Sequence, residues 1–330
     1  MWDKVQGHEE NKIFLKSLLA GEKATPSLLF YGPEGVGKRL LAKEFAKSYL
    51  CLNNTLEGDT CRSCHAIETG THPDFIQVSQ LAPGKALSIE QIKEMSRQAA
   101  YAPTLSQHKV CLLDGADFMT GEAANSLLKL LEEPPDFWLF ILIATDINRL
   151  LPTILSRVIQ RRFTGLSASA MQAVLTQQQV EKADILANLA DGSPGKALTW
   201  QEIGALDWRE RALYVLENCQ TPNIMAFIGN LAWLEKPSSE EGLAFLEMLS
   251  LLARDGLLTR EAQGSFVYLN VDILDRIKTC FASWPSGQIA TLLEWAGECY
   301  RGIAAKSGSR AVLEALIIKL SALRKENDSE

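Results

Sequence analysis

The chain has 330 residues, of which 47% are apolar and 22% are charged, and its formal net charge is −7. This composition is typical of a globular protein with two or three domains, and the acidic balance does not favour an independent nucleic-acid binder. No apolar run approaches the roughly 18 residues that a membrane span needs, and the first residues lack a signal-peptide pattern. Because seven cysteines at uneven spacing favour a reducing compartment, we expect a cytoplasmic protein.

The first predicted strand leads into a glycine-rich loop. A helix is predicted within residues 8–20, and the apolar run 28–30 then precedes the loop and an amphipathic helix. Strand, glycine-rich loop and helix are the context of a phosphate-binding P-loop. Three glycines allow the backbone N–H groups to face an anion: Gly32, Gly35 and Gly37. Lys38 would reach the phosphates, but Arg39 occupies the position of the hydroxyl that binds Mg²⁺.

The rest of the N-terminal half alternates between strands and helices. Apolar strands are predicted at 75–78, 110–113 and 137–144, and helices open at Ser88 and Thr120. Such alternation implies a parallel sheet that is covered on both faces. We expect the polar residues that follow these strands to cluster at the carboxyl edge, where such sheets bind ligands: Gly32, Asp114 and Thr145. Residues 167–204 indicate two or three short helices, and 206–324 are predicted to be helical.

Asp114 ends an apolar strand, as does the acidic residue that organises Mg²⁺ in P-loop ATPases. The following position usually carries the Glu that aligns the attacking water, but it is Gly115 here. A hydrogen side chain can neither accept a proton nor orient water. The pattern therefore predicts the backbone of a nucleotide site that lacks two functional groups, the hydroxyl that binds Mg²⁺ and the carboxylate that aligns water.

A cysteine-containing loop is predicted at about 51–73. Cys51, Cys61 and Cys64 could supply three thiolates to Zn²⁺, since Cys61 and Cys64 have the spacing of a zinc knuckle. A structural site needs a fourth ligand, for which the candidates are His65, His72 and Asp59. Three thiols without metal are the alternative.

Several motifs together resemble the AAA+ clamp-loader subunits of bacterial DNA polymerase III, and among them the delta-prime type. The motifs are the P-loop, segments 114–117 and 124–134, Gly70-Thr71-His72-Pro73-Asp74, and Ser156-Arg157. The resemblance covers residues 1 to about 205. It implies an AAA+ Rossmann-like domain with a parallel sheet in 1–165, a helical lid in 166–205, and an all-α collar for oligomerisation in 206–330.

The resemblance implies a non-motor, or stator, subunit of a clamp loader, which helps to load the sliding clamp onto primed DNA in chromosomal replication. Its implied partners are the tau/gamma motor subunits and the delta subunit, with the clamp and primed DNA reached through the complex. Ser156 and Arg157 match the family's serine–arginine motif, whose arginine acts in trans on ATP bound by the adjacent motor subunit. No membrane partner is implied.

The resemblance also implies a degenerate nucleotide site in this chain. In the lid, Gly195 occupies the position of the sensor arginine of active relatives, and Lys196 follows it. The implied nucleotide-binding residues are Gly32, Gly35, Gly37, Lys38, Arg39, Asp114, Thr145 and Lys196. We expect weak binding of ATP or ADP and the loss of this subunit's own hydrolysis, although the family works within a polymerase holoenzyme.

Two points stay open from the sequence. The family's zinc knuckle has four cysteines, and its second position is Gly58 here, which puts zinc binding in question. The alternative function is an autonomous AAA+ ATPase motor of the tau/gamma type. Arg39 and Gly115 argue against that alternative, because they remove metal and water positioning.

Overall fold

The computed structural model describes residues 2–21, 27–55, 59–81, 85–261 and 266–325. The chain divides into two compact units. The first consists of Met1–Val174 with Gly192–Gly195, and the second of Leu175–Asp191 with Lys196–Glu330. The three domains expected from the sequence, with boundaries at 165 and 205, stay a prediction.

The first unit contains a five-stranded sheet. Its strands are β1 (Leu28–Tyr31), β2 (Phe75–Val78), β3 (Lys109–Asp114), β4 (Trp138–Ala144) and β5 (Ile159–Arg162). All neighbours pair in parallel, in the order β2-β3-β4-β1-β5. Because β3, β4 and β1 are adjacent, the polar residues that follow them meet at one carboxyl edge, as predicted.

Helices connect the strands of this unit. They are α1 (Glu9–Leu19), α2 (Lys38–Tyr49), α3 (Arg62–Glu68), α4 (Ile89–Ala99), α5 (Gly121–Glu132), α6 (Pro152–Leu155) and α7 (Ala168–Gln177), of which α7 continues into the second unit. The predicted caps are confirmed, since Ser88 and Gln91 form a capping box and Thr120 accepts the N–H of Ala123. These caps satisfy backbone donors that a helix N-terminus otherwise leaves unpaired.

The two faces of the sheet have separate cores, because successive strand residues point to opposite faces. On one face Leu28 and Phe30 pack with residues of α1 and α2. On the other face Leu29 and Leu113 pack with residues of α4 and α5. The predicted parallel sheet with two covered faces is therefore confirmed.

Three elements of this unit did not follow from the sequence. Strand β5 has the sequence Ile-Gln-Arg-Arg and is largely exposed, because it is an edge strand that pairs with β1 alone. Polar residues are tolerated at such an edge, so no apolar pattern marked it. The short helices α3 and α6 lie in segments without helical periodicity, and α3 falls inside the predicted cysteine-containing loop.

The second unit is helical in its described residues. Its helices are α8 (Ala183–Leu189), α9 (Pro194–Glu202, whose first two residues belong to the first unit), α10 (Ala205–Asn218), α11 (Ile224–Gly229), α12 (Ser239–Glu261), α13 (Leu274–Phe281), α14 (Ser286–Ala304) and α15 (Ser309–Lys325). Helix α12 packs against α10 and α14, with Phe245 and Leu249 fully buried. Among the described helices, none is long and apolar enough to cross a membrane.

Candidate functional site

The predicted P-loop lies between β1 and α2, as its sequence requires. Gly37 is the N-cap of α2 in the left-handed conformation, with φ of 103°. Gly32 has φ of 139°, and a Cβ there would lie only 2.1 Å from the carbonyl oxygen of Phe163. A side chain is therefore excluded at Gly32, and the loop takes a conformation that favours glycine.

Lys38 is buried and points back at its own loop. Its Nζ donates to the carbonyl oxygens of Gly32 and Pro33, both at 2.6 Å. Burial lowers the pKa of this ammonium, and the negative charge of Asp114 acts in the opposite direction. The cation that should bind phosphate is thus engaged by backbone carbonyls of the P-loop.

A turn at 192–195, which belongs to the first unit, hydrogen-bonds to the same loop. The Ser193 hydroxyl donates to the Glu34 carbonyl at 2.8 Å, and the Gly195 N–H donates to the Gly35 carbonyl at 2.9 Å. A Cβ at Gly195 would lie 2.9 Å from the Cα of Gly35. The close approach of the two backbones explains why position 195 is a glycine.

His8 completes the set of contacts to the loop. Its Nε2 lies 2.7 Å from the Val36 carbonyl oxygen. Since a carbonyl can only accept, Nε2 carries the proton, and burial lowers the pKa of the imidazole and favours its neutral form. Each carbonyl from Gly32 to Val36 therefore accepts a hydrogen bond from this chain.

Arg39 lies beside the acidic residue that would organise Mg²⁺. Its Nη1 is 3.5 Å from Oδ2 of Asp114, and its Nη2 donates to Gln77 at 3.4 Å. Burial raises the pKa of Asp114, and the charges of Arg39 and Lys38 act to lower it. A fixed guanidinium charge thus occupies the region where a metal cation would neutralise this carboxylate.

Thr145, the polar residue after β4, is engaged by Asp117. Its hydroxyl donates to Oδ2 of Asp117 at 2.5 Å, and its N–H donates to the same oxygen at 3.1 Å. Asp117 is buried and also accepts the N–H of Asp146. The carboxyl edge therefore brings Thr145 and Asp114 together, but the Thr145 hydroxyl already has an acceptor.

Lys196 belongs to the second unit and has partners there. Its Nζ lies 2.5 Å from a carboxylate oxygen of Glu247 and 4.6 Å from the centre of the Trp200 ring. The Trp200 indole also donates to Glu247. Its assignment as a nucleotide-binding residue stays a prediction.

Arg157 lies just beyond α6, with its guanidinium ordered by three neighbours. Nη1 donates to the Thr153 carbonyl at 2.9 Å and to the Ser156 hydroxyl at 3.2 Å, and Nη2 lies 2.8 Å from the Glu132 carboxylate. The side chain of Arg157 is 34% exposed. The Ser156 hydroxyl thus helps to hold the Arg157 side chain in place at the surface of the first unit. The sequence analysis did not identify Thr153 or Glu132 as a partner of Arg157.

The three cysteines of the predicted metal site lie together, and Asp59 joins them. Their ligand atoms all lie within 4.8 Å of one another. Sγ of Cys51 is 4.0 Å from Sγ of Cys61 and 3.6 Å from Oδ1 of Asp59. Ligands bound tetrahedrally to zinc at about 2.0–2.3 Å are roughly 3.3–3.8 Å apart, so the donor atoms are of the right kind and need to move only slightly inward to bind this ion.

Two features prepare this cluster for a cation. Backbone N–H groups donate to its sulfur atoms, from Asp59 to Cys64 at 3.3 Å and from Cys64 to Cys61 at 3.5 Å. The N–H of Cys61 also donates to the Asp59 carboxylate and lowers its pKa. Such bonds favour ionised ligands, although burial raises the pKa of the Cys64 thiol and acts in the opposite direction there. Gly58, at the second position of the family's knuckle, lies outside the described residues.

His72 has a structural role in place of metal binding. Its Nε2 lies 2.9 Å from the Ser63 hydroxyl, and its Nδ1 accepts the N–H of Asp74. The buried Asp74 carboxylate accepts three backbone N–H groups: those of Thr104, Leu105 and Ser106. The motif at 70–74 thus fastens the cysteine-containing segment to the sheet.

Comparison with known proteins gives matches to subunits of DNA polymerase III. Residues 7–167 match the family described as "DNA polymerase III, delta subunit". The DNA polymerase III subunit delta' of Pseudomonas aeruginosa is 35% identical over 195 residues, which are 57% of this chain and 58% of that protein. The corresponding subunit of Bacillus subtilis is 37% identical over 175 residues, 52% of each chain. The chain therefore aligns with little more than half the length of these relatives.

Motor-type subunits and a solved structure are also similar. The tau subunit of Bacillus subtilis is 30% identical over 208 residues, 60% of this chain and 36% of that protein. A gamma subunit-related protein from Thermotoga maritima has a TM-score of 0.54 at 15% identity, over 95% of this chain and 99% of that one. This last likeness concerns the fold alone. The predicted fold class, an α/β domain with a parallel sheet followed by helices, and the resemblance to delta-prime clamp-loader subunits are confirmed.

Proposed function

We propose, from the match of residues 7–167 to the DNA polymerase III delta-subunit family, that this chain is a delta-prime-type, non-motor subunit of a clamp loader. In the cytoplasm it assembles with tau/gamma motor subunits and a delta subunit, and the complex places the sliding clamp on primed DNA. The chain contributes a fixed scaffold and Arg157, which acts on ATP bound by the neighbouring motor subunit.

The main support for the non-motor role is the hydrogen bonding of the P-loop. Its backbone carbonyls accept hydrogen bonds from other groups of this chain, including those of segment 192–195. For Lys38 to bind a β- or γ-phosphate, its ammonium must leave the Gly32 and Pro33 carbonyls. A bound Mg²⁺ would meet the positive charge of Arg39 beside Asp114. Both features oppose turnover of Mg²⁺–ATP by this subunit and leave only weak nucleotide binding.

We predict that the isolated chain hydrolyses ATP far more slowly than about 1 s⁻¹, the lower end of the usual enzyme range. The assay compares the purified chain with a motor subunit under the same conditions. Arg39→Thr restores the missing hydroxyl and should strengthen Mg²⁺-dependent binding of a fluorescent nucleotide. It should not restore hydrolysis, because Gly115 cannot orient water.

A second candidate function is an ATPase motor, which the 30% identity to a tau subunit favours. Turnover near 1 s⁻¹ by the wild-type chain, abolished by Lys38→Ala, would establish that alternative and exclude the non-motor role. The two functions also differ in assembly. A non-motor subunit should form one stable complex with motor and delta subunits on size exclusion, without a requirement for its own nucleotide.

Contact with primed DNA is proposed to be a property of the complex. The formal charge of −7 gives this chain no broad electrostatic attraction to phosphates. We therefore predict that the isolated chain does not bind primed DNA with nanomolar affinity at physiological salt, measured by fluorescence anisotropy. The assembled loader with its clamp is the positive control, and tight binding by the chain alone would contradict the prediction.

We also propose that Cys51, Asp59, Cys61 and Cys64 bind one zinc ion. Three thiolates and one carboxylate are ligands that zinc accepts in a closed, structural site. The ion would cross-link the segment between α2 and α3, where Asp59 takes the place of the family's fourth thiolate. Its role would be to stabilise this segment and not to act in ATP hydrolysis.

A further inference from the structure

The end of α5 contacts the guanidinium of the trans-acting arginine. Glu132 is the last residue of α5, and its Oε1 lies 2.8 Å from Nη2 of Arg157. It belongs to the Leu-Glu-Glu-Pro part of the block at 124–134, for which the proposed function gives no role. Both side chains are partly exposed, at 34% for Arg157 and 48% for Glu132. Such a pair contributes little to folding, so its geometry points to another purpose.

We propose that Glu132 is a positioning residue, which orients Arg157 toward the phosphate held by the neighbouring subunit. The inference rests on the proposed function. An arginine has four side-chain torsions to immobilise before it can bind a phosphate in a defined geometry. Glu132 fixes one side of the guanidinium, while Thr153 and Ser156 fix the other.

The contact with Glu132 leaves the arginine able to bind. Nη1 donates to two acceptors, and Nη2, which carries two N–H groups, lies beside one carboxylate oxygen. Among the described residues, Nε has no hydrogen-bond partner. Nε and Nη2 lie on one edge of the planar group, where they form the side-on fork that matches phosphate oxygens. The carboxylate can therefore stay in place while the fork binds.

The two partners are also placed rigidly with respect to each other. Leu131, next to Glu132, and Ile154, three residues before Arg157, are buried in the same hydrophobic core. Because this core is packed between the sheet and α5, the backbone segments that carry Glu132 and Arg157 are held at a fixed spacing. A positioning contact needs such a support on both sides.

The test uses the reconstituted loader with clamp and primed DNA, and measures kcat and KM for ATP. Glu132→Ala should lower kcat about fivefold, the upper range for an exposed ion pair, and leave KM within about twofold. Glu132→Gln keeps an oxygen that accepts from Nη2 and should recover most of kcat. Glu133→Ala removes an equal charge one residue away and should have no effect.

A double variant separates this inference from the proposed function. In an Arg157→Ala background, Glu132→Ala should cause no further loss, because the residue it positions is gone. The positioning role would be overturned if Glu132→Ala lowered kcat by the same factor with and without Arg157. It would also be overturned if Glu132→Ala alone raised kcat, or changed it no more than Glu133→Ala does. An Arg157→Ala loader with normal kcat would instead overturn the proposed function itself. Size exclusion and thermal unfolding verify that every variant assembles and folds.

Discussion

Replacing Arg157 with alanine is expected to remove ATP hydrolysis at the one motor site that this arginine faces. A trans-acting arginine raises turnover about 10³–10⁵-fold in related phosphoryl-transfer enzymes, because it stabilises the negative charge that develops in the transition state. In a rapid-quench experiment on the loader with clamp and primed DNA, the burst should lose the amplitude of one site. Clamp loading, followed by fluorescence, should fall with it.

The variant should still fold and assemble, since replacing an exposed side chain usually changes the free energy of unfolding by about 0.5 kcal/mol or less. Arg162→Ala is the matched control, an exposed arginine five residues along the chain, and should leave the burst unchanged. Arg157→Lys should restore little, because an ammonium cannot reproduce the planar fork. A normal burst from the alanine variant would mean that Arg157 is only a surface charge.

The central part of the fold could be predicted because its residues are constrained twice. Strands β1, β3 and β4 are buried on both faces, which requires continuous apolar runs, and the glycines of the P-loop mark the turn that follows β1. Pattern and motif therefore agreed at the same positions. Where a single weak constraint applies, as in the exposed strand β5, the sequence carried no signal.

The candidate site could be predicted in its residue types but not in its contacts. The sequence indicated that Gly32, Asp114 and Thr145 meet at one edge of the sheet, and that Lys38 follows the same loop. It did not indicate that Lys38 donates to Gly32 or that Thr145 donates to Asp117. These hydrogen bonds depend on side-chain directions and on loops brought together by the fold, and no spacing along the chain encodes them.

The contacts of segment 192–195 show the same limit more clearly. From the sequence, the resemblance implies at Gly195 only that the sensor arginine of active relatives is missing. The structure adds a cause, because the Gly195 N–H binds the Gly35 carbonyl at a distance that a side chain would prevent. The glycine at this position is thus required by a structural contact.

The second large effect is expected at the cysteine cluster, where Cys61→Ser should abolish zinc binding. Structural zinc sites contribute about 10–16 kcal/mol of apparent binding free energy in zinc-finger peptides, and removing a thiolate ligand forfeits much of it. Elemental analysis of the purified chain should give one zinc, and the variant should contain none. Hydrogen exchange should show faster opening of α3, which begins at Arg62 beside the cluster.

Asp59→Ala tests the ligand that distinguishes this site from a knuckle of four cysteines. Because a hard carboxylate contributes less to zinc affinity than a thiolate, this variant should keep some metal but lose it faster to a chelator. Cys299→Ser, at a cysteine of the second unit outside the cluster, is the control and should retain the ion. A metal-free wild-type chain, in which the thiols of Cys51, Cys61 and Cys64 react freely, would show that the cluster forms without zinc. The hydrogen bonds from Asp59 to Cys64 and from Cys61 to Asp59 would then be sufficient to hold the segment together.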